Sequence, residues 1–252
     1  MYFNGIRRAW KPNLVDKPGR RKKRKVPWGK IAAVVVIVLV VGLVGWEVYW
    51  NYLYVPPPVY ATVGTSLGSF SIELFPACAP KTVSNFVSLA NSGFYDNLVW
   101  HRIIPGFVIQ TGDPNTKNGV NSTRSTWGQG SSSSTVPLEV CGSLHNYAGY
   151  IGMARQGNQT SGLDTGTSQF YIVLDNLTSA TFQQLDGYYT MFGKVIGGMK
   201  VVCSIAAVKT YGASATQNGE SITNQPINPV FLRNVTIISA ASAPAPQPVA
   251  SC

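Results

Sequence analysis

Charged residues are scarce in this sequence, and their distribution excludes one broad class of function. Only 12% of the 252 residues are Asp, Glu, Lys or Arg. The formal net charge is +10, but residues 1–30 hold 11 of the 20 Lys and Arg and a single acid, Asp16. The remaining residues carry nine basic and nine acidic side chains, so they offer no basic excess for binding phosphates. We therefore expect no nucleic-acid partner.

Histidine and cysteine are also rare, which argues against a metal centre. His101 and His145 are the only two histidines, and the four cysteines show neither CxxC nor another metal-ligand spacing. We expect no metal and no cofactor. In an oxidising compartment four cysteines can form disulfides in three complete pairings, among which the sequence does not choose. They are Cys78, Cys141, Cys203 and Cys252.

A long apolar run near the N-terminus predicts a membrane anchor. Ile31 to Trp46 contains 16 residues without a polar side chain, and the run reaches Trp50 with Glu47 as its only charge. At about 1.5 Å per residue, residues 31–50 form a helix of roughly 30 Å, which matches a bilayer core. A cleaved signal peptide is the alternative, but large aromatics stand where cleavage needs small residues. The basic residues before the run predict a cytoplasmic N-terminus and an exported remainder.

These features divide the chain into five parts. We predict a basic cytoplasmic tail at residues 1–30, a transmembrane helix at 31–50 and a proline-rich linker at 51–58. One globular domain at 59–240 follows, and residues 241–252 are too rich in Ala and Pro to build a core, so we expect a disordered tail.

Short strands outnumber helices in the predicted domain. Ser69 to Phe75 alternates apolar and polar residues, and strands are also expected at 170–174, 190–195 and 235–238. Apolar residues at helical spacing after Pro80, and again from Met199, predict two helices. Short strands with two distant helices favour a barrel whose openings the helices cover.

The segment Gly64 to Gly68 matches the GxSxG pattern of a hydrolase nucleophile elbow. Such an elbow lies between a strand and a helix. Here an alternating strand follows the glycines, so a hairpin turn explains them better. We reject a hydrolase that uses Ser66.

The most informative segment runs from Tyr95 to Asp113. Arg102 lies among apolar residues, where a guanidinium cannot be buried without partners, so we expect it at the edge of a pocket. Gln110 offers both a donor and an acceptor eight residues later. The stretch HRIIPGFVIQTGD closely resembles the cyclophilin signature. Four further segments resemble the same family: SIELFPACAPKTVSNFVSLA, YIGMARQG, GTSQFYIVL and LDGYYTMFGKVIGGMKVV.

This resemblance covers nearly all of residues 59–240 and implies a mostly β fold. The implied architecture is a closed eight-stranded antiparallel barrel, capped by two α-helices, with an apolar proline pocket on its outer face. The resemblance also implies peptidyl-prolyl cis-trans isomerase activity with Arg102 and Gln110 as the catalytic residues. The substrate-binding residues that it implies are Phe107, Val108, Met153, Ala154, Arg155, Gln156, Tyr171, Leu185 and Tyr189.

Several positions depart from the family pattern. Trp100 and Tyr171 stand for a usual Phe, Val108 for Met, Gln184 for Trp and Tyr189 for His. We expect these changes to alter ligand preference more than catalysis, and to weaken cyclosporin binding. For His101 we expect a structural hydrogen bond, since neighbouring residues of a strand point to opposite faces.

Anchor and resemblance together predict a membrane-bound monomer that accelerates rotation about X-Pro bonds in exported or surface proteins. Its partners are then proline-containing polypeptides and the membrane. The alternative is a cyclophilin-like binding module that docks proline-containing segments of a partner with little turnover. An isomerisation assay distinguishes the two.

Overall fold

The structure is a computed structural model that describes residues 25–142, 144–157, 161–176 and 185–252. The chain divides into two compact units, one ending at Tyr54 and the other running from Val55 to Cys252. The basic tail predicted at residues 1–30 lies outside the described residues except for residues 25–30.

The described part of the first unit is an apolar helix. Helix α1 spans Trp28–Val48, and a π-helical turn at Tyr49–Leu53 follows it. Its only charged residues are Lys30 and Glu47, and none of its 21 residues is buried. At about 1.5 Å per residue such a helix is roughly 31 Å long. By length and composition, α1 can therefore cross a bilayer.

The second unit is built on one antiparallel sheet. In chain order its strands are β1 (Val59–Thr65), β2 (Gly68–Leu74), β3 (Leu98–Val99), β4 (Arg102–Ile104), β5 (Val108–Thr111), β6 (Tyr150–Met153), β7 (Phe170–Val173), β8 (Met191–Gly197) and β11 (Phe231–Ile238). Across the sheet the order is β3-β11-β1-β2-β8-β6-β7-β5-β4. A separate two-stranded ribbon pairs β9 (Thr216–Gln217) with β10 (Glu220–Ser221).

The prediction of a closed eight-stranded barrel was wrong in two respects. Nine described strands form the sheet, and its edge strands β3 and β4 are not paired with each other. At this seam the N–H of Trp100 donates to the Val230 carbonyl, and the N–H of Ile103 donates to the Asn224 carbonyl. Only Trp100 and His101 separate β3 from β4 along the chain, and no ladder joins these two strands, so the sheet curls but stays open here.

Both predicted helices are present. Helix α2 (Pro80–Asn91) begins at a proline, which suits a first turn, and buries the face formed by Val83, Phe86 and Ala90. Helix α3 (Met199–Ala206) follows Gly198, whose φ is +81°. A Cβ on Gly198 would lie 2.9 Å from the Phe70 backbone, so only glycine fits.

Aromatic side chains fill the core between α2 and the sheet. Phe86 lies edge-on to Phe170 with ring centroids 5.4 Å apart, and Trp100 meets the same ring at 6.0 Å. All three rings are almost fully buried. Trp100 therefore packs in the core, which explains why the change from the family's usual Phe does not reach the surface.

The GxSxG segment forms a turn, as expected. Thr65 pairs with Gly68 across the β1–β2 hairpin, so Ser66 and Leu67 are the two turn residues. Since a strand follows the turn instead of a helix, Ser66 does not occupy a nucleophile elbow.

Two disulfides resolve the pairing that the sequence left open: Cys78–Cys141 and Cys203–Cys252. The second disulfide joins α3 to the C-terminal segment, where we predicted a disordered tail. Instead, Gln247 N–H donates to the Ile196 carbonyl and Cys252 N–H to the Leu174 carbonyl. Although this segment has too few apolar residues for a core of its own, backbone hydrogen bonds and a covalent link hold it against the domain.

Candidate active site

The site begins with a side-chain pair on β4 and β5. Arg102 and Gln110 are register partners across these two antiparallel strands, so their side chains lie on the same face. The guanidinium Nη1 of Arg102 donates to Gln110 Oε1 at 3.2 Å. Burial lowers the pKa of Arg102, but an arginine stays protonated at neutral pH. The pairing explains the eight-residue spacing and keeps a cation at the site.

Arg102 lies at the edge of a hollow of about 160 Å³ that has aromatic and aliphatic side chains in its walls, and we call it the first hollow. Its guanidinium carbon lies 5.7 Å from the centre of the Phe107 ring. The residues that line the hollow are Arg102, Phe107, Val108, Gln110, Ala154, Arg155, Tyr171, Leu185 and Tyr189. The structure thus brings together nine of the eleven site residues expected from the sequence.

Met153 and Gln156 are the two expected site residues that do not line the first hollow. Met153 ends β6 and is buried in the main core, because successive strand residues face opposite sides and Ala154 takes the outward position. Gln156 lines a neighbouring hollow of about 260 Å³, which we call the second hollow. The structure therefore does not bring Met153 together with the other expected substrate-binding residues.

The second hollow is polar and shares Gln110, Ala154 and Arg155 with the first. Its other lining residues are Gly128, Gly130, Ser131, Thr135, Gln156, Thr165, Thr167 and Gln169. An extended ligand in the first hollow can therefore continue into a neighbouring space rich in hydroxyl and amide groups.

Gln169 is a site residue that the sequence reasoning missed. Gln110 Nε2 donates to Gln169 Oε1 at 2.9 Å, and Gln169 Nε2 donates to the carbonyls of Gly128 and Gly130. This arrangement steadies Arg102 through Gln110. The signal was present in GTSQFYIVL, because a glutamine directly before an apolar strand needs partners when it is buried.

Asp113 shapes the loop that receives Gln169. Its carboxylate is buried and accepts hydrogen bonds from the N–H groups of Asn115 and Gly128. A Cβ on Gly130 would lie within 2.1 Å of Asp113 Oδ1, so the loop can approach the carboxylate only with glycine at this position.

His101 is buried beside the site, and neither of its ring nitrogens has a partner in hydrogen-bond geometry within the described part of the chain. Burial lowers the pKa of His101 to about 4, although the charge of Asp113 opposes this shift. The backbone of Val99 and the side chain of Gln169 are nevertheless close enough to act on the ring as weak hydrogen-bond partners, and both oppose the lowering of its pKa. His101 is a neutral packing residue at physiological pH.

Tyr171 and Tyr189 form the far side of the first hollow. Their rings meet edge to face with centroids 5.9 Å apart, and Tyr171 is buried. A Cβ on Gly152 would lie 2.2 Å from the Tyr171 ring, so glycine on β6 makes room for it. The Arg155 guanidinium carbon lies 4.7 Å from the centre of the Tyr189 ring, and its Nε donates to the Tyr188 carbonyl at 2.7 Å. The Arg155 side chain therefore holds residues 185–189, a role that the sequence reasoning did not assign.

Gln184, one of the expected departures from the family pattern, lies outside the described residues.

Comparison with known proteins decides the family. The family model described as cyclophilin type peptidyl-prolyl cis-trans isomerase matches residues 60–236. This chain belongs to that family. It is 37% identical over 182 residues to peptidyl-prolyl cis-trans isomerase-like 1 of Emericella nidulans, covering 72% of this chain and 96% of that protein. It is 40% identical over 147 residues to a peptidyl-prolyl cis-trans isomerase of Schizosaccharomyces pombe, covering 58% and 84%.

Solved cyclophilin structures agree with the fold. A cyclophilin type peptidyl-prolyl cis-trans isomerase of Cryptosporidium parvum superposes with a TM-score of 0.60 at 27% identity, covering 73% of this chain and 99% of that chain. A second structure of that protein, determined in the presence of the dipeptide Ala-Pro, gives a TM-score of 0.58 at 27% identity, with 71% and 99% covered. The chain is therefore a cyclophilin-type isomerase, whose described domain has a curled antiparallel sheet packed with α2 and α3.

The two hollows offer this cyclophilin hydrogen-bond donors beside aromatic and aliphatic side chains. The described residues that line the two hollows include no thiol, imidazole or carboxylate. Instead, a guanidinium lies at the rim of a hollow with aromatic and aliphatic walls, and amide side chains lie beside it. Such a site can hold an apolar ring and donate hydrogen bonds, and rotation about a peptide bond requires no bond to be broken.

Proposed function

We propose that Arg102 is the hydrogen-bond donor that accelerates prolyl isomerisation in this chain. A planar prolyl amide resists rotation by roughly 18 to 20 kcal/mol, because resonance gives the C–N bond double-bond character. In the twisted transition state the nitrogen loses this resonance and gains a lone pair. A donor aimed at that nitrogen stabilises the twisted state more than either planar state. The observation that carries the proposal is the Arg102–Gln110 pair at the rim of the first hollow.

The first hollow holds the proline ring in this proposal. Phe107, Val108, Tyr171, Leu185 and Tyr189 supply its apolar and aromatic lining. By excluding water, this lining strengthens the electrostatic effect of the nearby guanidinium. The Cryptosporidium parvum relative was solved in the presence of Ala-Pro, which supports an alanyl-prolyl segment as a ligand here too.

The other side of the substrate lies along the second hollow. We assign the backbone of Arg155 to the residue before proline, and Gln110 to steadying Arg102 or a substrate carbonyl. Each tenfold acceleration removes about 1.4 kcal/mol from the barrier, so five decades require about 7 kcal/mol. A charge-assisted hydrogen bond, ring burial and two backbone contacts are of the right order to supply it.

The substrates that we propose are proline-containing segments of exported or surface proteins. Two observations support an exported domain. Helix α1 is long and apolar enough to cross a membrane, and the preceding basic residues favour a cytoplasmic N-terminus. Two disulfides follow α1 in the chain, and disulfides persist in oxidising compartments. We also propose that the chain works as a monomer.

Catalysis and topology need separate experiments. The full chain, purified in detergent, should accelerate cis-trans isomerisation of an Ala-Pro peptide, measured by exchange spectroscopy. If the chain binds the peptide without accelerating its isomerisation, the enzyme proposal fails and the alternative of a cyclophilin-like binding module is favoured. For topology, protease is added to sealed vesicles that carry the chain and whose cytoplasmic face is on the inside. Protection of the N-terminal tail with digestion of residues 59–240 supports the orientation, and the opposite pattern contradicts it.

A further inference from the structure

The hydroxyl group of Tyr171 makes a polar contact beneath the first hollow. The cyclophilin resemblance places a phenylalanine at this position, so the hydroxyl is a feature of this chain. It donates to Asn146 Oδ1 at 3.1 Å and lies 3.7 Å from Met191 Sδ. Burial raises the pKa of Tyr171, so the phenol keeps the proton that it donates.

Asn146 connects the Tyr171 hydroxyl to Asp186, which lies in the turn at residues 185–189 beside the first hollow. Its side-chain Nδ2 donates to Asp186 Oδ1 at 2.6 Å, and its backbone N–H donates to the same oxygen at 3.0 Å. The other oxygen, Asp186 Oδ2, lies 2.9 Å from His145 Nδ1. Burial raises the pKa of Asp186, but the hydrogen bonds from Asn146 and His145 outweigh it and lower the pKa overall. Asp186 is therefore a carboxylate with three short polar contacts.

Asp186 lies in the chain between Leu185 and Tyr189, two residues that line the first hollow. Leu185 directly precedes it, and Tyr189 follows three positions later. The turn is tight, since Tyr188 N–H donates to the Leu185 carbonyl and Gly187 has a φ of +82°. Arg155 holds the Tyr188 end, as described above. The Asn146 contacts hold the Leu185 end, so this wall is fastened on two sides.

We infer that Asn146 and Asp186 are positioning residues, which together with the Tyr171 hydroxyl fix Leu185 and Tyr189 as the wall that grips the proline ring. The inference rests on the proposed function, because it assigns the first hollow to proline. The inference separates catalysis of the rotation from binding of the proline ring. Arg102 acts on the twisted amide, whereas this network sets the shape of the space that receives the ring. Its loss should weaken substrate binding while the rotation step in the bound state stays largely intact.

Steady-state kinetics of the full chain with an Ala-Pro peptide test this inference. In Asp186→Ala we expect KM to rise about tenfold and kcat to stay within about twofold, since a tenfold change is of the order of one lost hydrogen bond to a charged group. Asp186→Asn keeps an oxygen that accepts from Asn146, so it should restore most of the affinity. Asp175→Ala removes an exposed aspartate whose hydrogen bond is to the next residue, and serves as the matched control.

Tyr171→Phe is a second test in case Asp186→Ala does not fold. It introduces the residue that the family usually has at this position, so we expect the fold to tolerate it. We expect KM to rise about threefold, about half the logarithm expected for Asp186→Ala. Because the hydroxyl acts through Asn146 and Asp186, the double variant should bind no more weakly than Asp186→Ala alone. Independent effects that multiply would overturn the proposed chain of contacts, as would KM values within twofold of the Asp175→Ala control.

The peptide dissociation constant, measured by fluorescence, separates this inference from the proposed function. If the unmutated chain binds peptide without turnover, the proposed enzyme fails, and the dissociation constants of the same variants still decide the role of the wall. If it neither binds nor turns over peptide, both fail. A fall in kcat with unchanged affinity in Asp186→Ala contradicts the positioning role alone.

Discussion

Gln110 donates to Gln169 through a hydrogen bond of 2.9 Å, although 59 residues separate them in sequence. Gln169 in turn donates to two carbonyls of the loop at Gly128 and Gly130. The guanidinium of Arg102 is therefore held by a line of amide side chains that ends on backbone. This relationship makes Gln169 as relevant to the site as the residues that line the first hollow.

Replacing Gln169 with alanine should reduce kcat/KM about tenfold. The change frees Gln110 to rotate, and the loss corresponds to roughly one net hydrogen bond. Isomerisation of an Ala-Pro peptide measures it. The matched control is Gln129→Ala, which removes an exposed amide whose side chain donates to the Ser125 carbonyl. Equal activity of the two variants would show that Gln169 does not steady the site.

Glu139→Ala should lower the free energy of unfolding by about 1–2 kcal/mol. The carboxylate of Glu139 accepts hydrogen bonds from the N–H groups of Lys81 and Thr82 in the first turn of α2, at 3.0 and 2.8 Å. Helix α2 has no acidic residue of its own there, so a residue 57 positions away caps it. Urea unfolding measures the change, with the exposed Glu220→Ala as control. A loss no larger than that of the control would contradict the capping role.

Replacing both Cys203 and Cys252 with serine should lower the free energy of unfolding by about 2–4 kcal/mol. The disulfide closes a loop across 49 positions and holds the C-terminal segment, whose backbone bonds to Ile196 and Leu174 are too few to hold it alone. Chemical unfolding checks this, and amide exchange at Gln247 should accelerate in the same variant. Unchanged exchange would show that the segment needs no covalent link. Ser204→Ala on α3 serves as the control.

The stability of the fold should fall as the pH decreases from about 6.5 towards 4. Burial lowers the pKa of His101 to about 4 in the folded chain, whereas an unfolded histidine titrates near 6.5. Between these values the unfolded state binds more protons, so the free energy of unfolding decreases by up to about 1.4 kcal/mol per pH unit. His101→Leu should flatten this part of the profile relative to the unmutated chain. Parallel profiles of His101→Leu and the unmutated chain would contradict the assignment.

The sequence predicted local features better than distant ones. The pairing of Arg102 with Gln110 could be predicted because the signature HRIIPGFVIQTGD contains both strands, which are neighbours along the chain. Both helices could be predicted from the spacing of their apolar residues. The seam between β3 and β4 could not be predicted, because its contacts involve the distant Asn224 and Val230, whose carbonyls accept hydrogen bonds from Ile103 and Trp100.

The differences between the expected and the observed lining of the site have the same origin. Met153 and Ala154 are consecutive, and only the register of β6 in the sheet decides which of them faces the core. Gln169 reaches the site through hydrogen bonds to loops that lie 39 and 41 positions earlier. The disulfide pairing likewise depends on where α3 and the C-terminal segment meet, which the spacing of four cysteines does not encode.

The most direct test of the central claim compares Arg102→Ala with the unmutated full chain, on one Ala-Pro peptide, for both kcat/KM and dissociation constant. We predict a loss in kcat/KM of about a thousandfold, or roughly 4 kcal/mol of transition-state stabilisation, with the dissociation constant within about threefold. Arg102→Lys should recover part of the rate, since it keeps a cation but not the planar fork. Unchanged catalysis in Arg102→Ala would contradict the account, as would a loss explained entirely by weaker binding.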